Sequence, residues 1–141
     1  MDISYQIHAR DLGWLPQISN GQPAGILGAT VIEAITISAN GLPQGVSLRY
    51  RVYSADVGWG EWQRSGGVAG TTQKGLQAEN IQIELVGAKD NLGAIYECAV
   101  GDKGWLPYVQ NGQSAGTEGM GLGIEVIKAT SKNLSTIGLT R

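Results

Sequence analysis

The sequence contains no phenylalanine, one cysteine, one histidine and four prolines in 141 residues. A single cysteine, Cys98, excludes an internal disulfide and a cysteine-based metal site. The lone His8 has no second His or Cys with which to share a metal, so neither a metal nor another cofactor is expected. No Ser-His-Asp phrase and no phosphate-cradling loop occurs. Charge is sparse as well. Ten Lys and Arg stand against twelve Asp and Glu, for a formal net charge of −2, and no basic run is present. Nucleic acid and an anionic membrane surface are therefore poor expectations as partners. No window approaches the roughly 18 apolar residues of a membrane span. The stretch from Met1 to Arg10 is polar and alternating, unlike a signal peptide. A soluble chain without membrane insertion is expected.

Glycine, by contrast, is abundant at 22 residues, and apolar residues make up 42% of the chain. That balance excludes disorder and points to short strands joined by tight turns. The strongest feature is an internal repeat. Tyr5, Tyr50 and Tyr96 stand 45 and 46 residues apart, and Trp14, Trp59 and Trp105 each follow at an offset of nine. Each Trp closes the same phrase, Asp11-Leu-Gly-Trp14, Asp56-Val-Gly-Trp59 and Asp102-Lys-Gly-Trp105. An Ala-Gly pair comes next (Ala24-Gly25, Ala69-Gly70, Ala115-Gly116), and then Glu33, Glu79 and Glu125. The reading is one domain over residues 1–141, built of three units at about 1–45, 46–91 and 92–141.

Within each unit the apolar residues alternate, as in Ile3-Tyr5-Ile7, Leu48-Tyr50-Val52 and Ala94-Tyr96-Cys98. Period two is the mark of a half-buried strand. The alternation returns after each Glu, in Ile35-Ile37 and Ile81-Ile83, but before the Glu its parity is displaced by one. A one-residue slip turns a strand over, so a bulge or a change of sheet is expected there. Four strand pieces per unit follow: the Tyr strand, a Trp strand from Trp14 to Ser19, and a piece on either side of the Glu. Asn20-Gly21, Asn40-Gly41 and Asn111-Gly112 supply turns. Three uncapped units imply a ring in which the third packs on the first. The expected fold is all-β and closed with pseudo-threefold symmetry: a β-trefoil because of the parity shift, with a three-sided β-prism as the alternative.

Asp-x-Gly-Trp, then Asn-Gly, Ala-Gly-Thr and Ile-Glu-x-Ile resembles the ChW repeat, the clostridial hydrophobic repeat with a central tryptophan. The third unit carries the pattern most fully, in Asp102, Gly104, Trp105, Asn111, Gly112, Ala115, Gly116, Thr117, Ile124 and Glu125. The second unit departs from it with Arg64-Ser65-Gly66-Gly67, and the first has Ile26 where the others have Thr. The resemblance implies an extracellular or cell-surface protein that mediates attachment or adhesion to carbohydrate, cell wall or other proteins. It brings no ligand site that could be carried over.

Two readings stand for each repeated residue. The three Trp residues are either packing wedges or stacking platforms for the apolar face of a sugar. Asp11, Asp56 and Asp102 either form Asx-type turns or accept hydrogen bonds from sugar hydroxyls. Glu33, Glu79 and Glu125 would be spread about an axis rather than paired across one cleft, so a structural role at the parity shift is expected rather than glycoside hydrolysis. His8 is expected to face solvent and Cys98 to lie in the core.

The expected function is that of a non-catalytic, lectin-like, multivalent carbohydrate-binding module for a glycan or cell-wall polysaccharide, with up to three equivalent sites. The candidate contacts are Asp11, Trp14, Asn20 and Gln22 in the first unit. They are Asp56, Trp59 and Trp62 in the second, and Asp102, Trp105, Tyr108, Asn111 and Gln113 in the third. Position 62 aligns with Gln17 and Tyr108. The rival expectation is a protein-interaction or assembly module on the same scaffold.

Overall fold

A computed structural model of the chain describes residues 1–89 and 91–134. Residues 135–141, the end of the third unit as bounded above, lie outside the described residues.

The alternating Tyr segment forms β1 (Asp2–Ala9), followed by β2 (Gly13–Trp14), β3 (Ile18–Ser19), β4 (Ala24–Gly25) and the Glu strand β5 (Ile32–Asn40). The same series recurs as β6 (Ser47–Ser54), β7 (Gly58–Trp59), β8 (Gln63–Arg64), β9 (Ala69–Gly70) and β10 (Ala78–Val86). It recurs again as β11 (Leu92–Val100), β12 (Gly104–Trp105), β13 (Val109–Gln110), β14 (Ala115–Gly116) and β15 (Ile124–Asn133). The architecture is all-β, in three antiparallel sheets.

Each unit thus has five strands rather than four. The expected Trp strand is two separate two-residue pieces, divided at Pro16 in the first unit and Pro107 in the third. Proline offers no N–H to a ladder. The piece before the Glu is no strand of its own in any unit. It runs into the Glu strand through a bulge.

The bulge accounts for the parity shift. His8 pairs with Ala34 and Ala9 with Ile32, so Glu33 is the extra residue. Glu79 is skipped in the same way between Ala78 and Asn80, and Glu125 between Ile124 and Val126. Two residues facing one tip the strand, and inward pointing resumes one position later.

The inward residues of the long pairs β1/β5, β6/β10 and β11/β15 meet in a single core that includes Ile3, Tyr5, Ile37, Tyr50, Ile83, Tyr96 and Ile127. Burying each such Ile is worth about 1.5–3 kcal/mol. The tyrosines bring a polar tip into this apolar interior, and each hydroxyl finds a carbonyl. Tyr5 donates to Gln22, Tyr96 to Gln113, and Tyr50 lies 2.6 Å from Gly67 O. These bonds hold the turn after the second short strand of each unit.

The sheets exchange edges. β9 of the second unit pairs with β5 of the first, β14 of the third with β10 of the second, and β4 of the first with β15 of the third. A turn glycine repeats the pattern. Gly66 N donates to Ile37 O, Gly112 N to Ile83 O and Gly21 N to Ala129 O, each at 2.8 Å. Gly25, Gly70 and Gly116 are needed at these joints on two counts. Each has positive φ, and a Cβ would overlap the carbonyl oxygen of Glu125, Glu33 or Glu79.

Candidate functional site

The repeated Asp-x-Gly-Trp phrase builds a tight reversal at one end of each Tyr strand. Asp11, Asp56 and Asp102 have φ of 66°, 69° and 70°, and the glycine two residues on is also left-handed. Asp tolerates that region better than most residues, so its backbone explains its position. The three carboxylates are exposed and make no hydrogen bond among the described residues. The Asx bond envisaged from the sequence is therefore not formed, and the carboxylates point to solvent.

The reversal lays each Trp across the outward residue of the Tyr strand: Trp14 opposite His8, Trp59 opposite Tyr53, Trp105 opposite Ala99. None of the indoles is in the core. Trp14 is 40% exposed, Trp105 39% exposed, and Trp59 half-buried. The indole sits on the outer face of its sheet, with the sheet as its floor.

The three floors differ. Trp14 meets His8 edge to face, with centroids 5.3 Å apart. His8 is therefore largely covered rather than solvent-facing, its Nδ1 lying 3.2 Å from Glu33 Oε1. Trp105 carries Lys128 Nζ 4.5 Å from its ring centre. Trp59 meets Tyr53 edge to face at 5.7 Å and takes the Arg51 guanidinium at 4.6 Å. Arg51 also lies 4.7 Å from the ring of Trp62, and Arg49 lies 4.1 Å from it. Such contacts are worth about 0.5–1 kcal/mol at exposed sites. Arg49 is fixed in turn by Glu84 at 2.9 Å, and Arg51 by Gln82 at 2.7 Å.

The structure does not bring the Trp and the Asn-Gly turn of one unit together. Trp14 sits beside His8, whereas Asn20 Oδ1 accepts from Ile3 N at 3.0 Å, near the other end of the same strand. At about 3.3 Å per residue the two lie roughly 16 Å apart. Asn111 is a joint residue: its Oδ1 accepts from Leu85 N at 2.7 Å and Ala94 N at 3.2 Å, and its Nδ2 donates to Leu85 O. Ser65 takes the corresponding place in the second unit, accepting from Ala39 N. Gln113 Oε1 accepts from Gln110 N, while Gln22 is exposed. Gln17 is exposed, and Tyr108 lies half-buried at the position of Trp62.

What reaches the Trp end instead is the loop after the Ala-Gly pair of the following unit. Glu118 Oε1 accepts from Trp59 Nε1 at 2.5 Å, and Gly119 N donates to Glu79. Gly28 N donates to Glu125, and Arg10 donates to Gly75 O. No single unit's sequence pattern could reveal these partners, because each contact crosses to another unit.

The three bulge glutamates sit in separate joints. Glu33 and Glu79 are buried, and each accepts from or pairs with groups that fix the bulge, Arg10 and His8 for the first and Gly119 and Gln77 for the second. No two of them face one cleft. Cys98 is buried, and that burial, with the charge of Glu97 second, pushes its thiol up to about 12, far from nucleophilic. No group of acidic, His or Cys side chains able to hold a metal occurs among the described residues.

The family profile described as Clostridial hydrophobic W (ChW) matches residues 53–87 and 100–129. Those segments hold the Trp reversal, the Ala-Gly strand and the Glu bulge of the second and third units, and the match supports the ChW family for this chain. The first unit, outside the match, has the same order of strands. No curated protein and no solved structure matches the chain.

Proposed function

We propose that the chain is a non-catalytic carbohydrate-binding module of three tandem ChW repeats, with up to three sites for surface or cell-wall glycan outside the cell. The observation that carries this reading is the exposure of Trp14 and Trp105 at equivalent places on the outer faces of two sheets. An indole held against a rigid floor offers a sugar's apolar face a flat partner without losing side-chain freedom on binding. An exposed aspartate stands at the same end of each sheet to accept from hydroxyls. Several weak sites raise avidity by factors on the order of 100 when the ligand repeats at a matching spacing.

The ring closure this requires is part of the proposal. Edge exchange from third unit to first favours it, and three separate sheets favour the prism over the trefoil's barrel. The test is a glycan array with the intact protein and with Trp14→Ala and Trp105→Ala together. Binding competed by free sugar and lost in the double variant supports the reading, and an empty array from a folded protein ends it.

One observation favours the rival. The first unit leaves Leu12, Ile26 and Leu27 at least half exposed, and Ile26 lines an apolar cleft of about 170 Å³ with Leu15, Pro16 and Ile18. A protein-interaction role predicts self-association or capture of a polypeptide that free sugar does not compete, and that Ile26→Asp abolishes.

A further inference from the structure

We propose that the outer face of the second unit is specialised for an acidic sugar residue, with its ring on Trp62 and its carboxylate on Arg64. The inference rests on the carbohydrate-binding reading and assigns a ligand class to one face. A cleft of about 200 Å³ opens there, lined by Ser47, Arg49, Trp62, Gln63, Arg64 and Val86. No acidic side chain is among these lining residues.

Arg49 and Arg64 are direct cross-strand partners. Like charges in that arrangement repel. Arg49 is already tied to Glu84 through Nε at 3.0 Å and Nη2 at 2.9 Å. Arg64 is exposed, and its side chain has no hydrogen bond or ion pair among the described residues. A carboxylate bound at Arg64 would relieve the repulsion and receive a paired, charge-assisted bond from the guanidinium fork.

The same two positions are Ser4 and Ser19 in the first unit, joined hydroxyl to hydroxyl at 3.1 Å, and Ile95 and Gln110 in the third. The paired cations are thus confined to the second face. So is the second indole, since Gln17 and Tyr108 take the place of Trp62. Arg49 and Arg51 both rise from β6 and lie 4.1 and 4.7 Å from the centre of the Trp62 ring, which anchors the indole beside the cleft it lines. Ser47, two residues before Arg49 on the same side of β6, adds a hydroxyl at the margin for the sugar's hydroxyls. The geometry combines a flat apolar surface with an uncommitted cation, which is the complement of a pyranose bearing a carboxylate.

The test measures binding of the full chain to polygalacturonate, alginate and hyaluronan, each beside its carboxyl-reduced, neutral counterpart, at physiological salt. At least one acidic polymer is expected to bind tenfold or more tighter than its neutral form. Arg64→Gln should lower that affinity about tenfold to a hundredfold, and Arg64→Lys should restore part of it. Trp62→Ala should weaken binding to the same polymer while the far-ultraviolet circular dichroism stays unchanged. Poly(glycerol phosphate), a polyanion without a sugar ring, should bind more weakly and be indifferent to Trp62→Ala. Equal binding to acidic and reduced polymers, or an Arg64→Gln variant with unchanged affinity, overturns the acidic assignment while leaving glycan binding in place. Binding to none of the polymers, acidic or neutral, removes the broader reading together with it.

Discussion

Gly25 in the first unit lies against the backbone carbonyl of Glu125 in the third, so closely that a Cβ would overlap the oxygen. The Ala-Gly strand closes onto the Glu bulge at that point, and Gly70 with Glu33 and Gly116 with Glu79 repeat the contact. The joint needs both a left-handed residue and an absent side chain. Gly25→Ala, Gly70→Ala and Gly116→Ala should therefore each lower stability by about 2–4 kcal/mol in urea unfolding, the sum of backbone strain and overpacking. Gly13→Ala has the strain without the clash, since nothing stands within 4 Å of its Cβ, and should cost about 1–2 kcal/mol. Equal losses at Gly13 and Gly25 would refute the close-approach account.

Asn111 shows how a polar residue on a loop can serve the fold rather than a ligand. Its amide is committed to Leu85 and Ala94, one in the second unit and one in the third. Asn111→Ala should lower the melting temperature, at a cost of about 2–3 kcal/mol for the backbone groups left unsatisfied. Trp105→Ala should cost less than about 1 kcal/mol and act on ligand binding instead. Thermal melts of the two variants side by side separate the roles.

Thr71 and Thr117 bury a hydroxyl with no hydrogen-bond partner among the described residues. Replacing each by the near-isosteric Val removes that unmet demand. Thr117→Val should be neutral or stabilising by up to about 1 kcal/mol. The first unit already carries the apolar Ile26 at this place. A loss of more than 1 kcal/mol in chemical denaturation would reveal a partner for the hydroxyl.

Alkaline pH should weaken the fold. Burial raises the pKa of Cys98 from 9.0 to about 12, and raises Tyr5, Tyr50 and Tyr96 above their ordinary value of 10.0. Below about pH 9 these groups are protonated in folded and unfolded chains alike, and the stability is fully present. Above that the unfolded chain sheds protons that the folded chain retains, so stability falls as pH rises toward 12. Urea midpoints measured between pH 8 and 11 should decline, and less steeply in Cys98→Ala, which lacks the thiol's share. A flat profile would contradict the burial.

Much of the fold was legible because it is written in residue spacing. Tyr5, Tyr50 and Tyr96 mark the inward rows, and the shifted parity before Glu33, Glu79 and Glu125 announced a bulge that the ladders contain. The two-residue strands were not legible, since two residues carry no period and β4, β9 and β14 owe their existence to a sheet in another unit. The candidate site was legible only in part. The Asp-x-Gly-Trp reversal could be read, but not whether its indole faces inward, because Trp is amphipathic enough for either. The covering residues, Glu118 on Trp59 and Lys128 on Trp105, stand far along the chain from the rings they touch.

Alternation and repetition alone determined an all-β chain of three like units, since a side chain's face follows from its parity along a strand. Which unit supplies each sheet's edge, and which way each indole points, were decided only by the tertiary structure. Both depend on distances between segments that sequence separation does not constrain. The differences among the three faces have the same origin: Arg49 and Arg51 act on Trp59 and Trp62, and Arg64 comes to face Arg49, only once the strands have set them side by side.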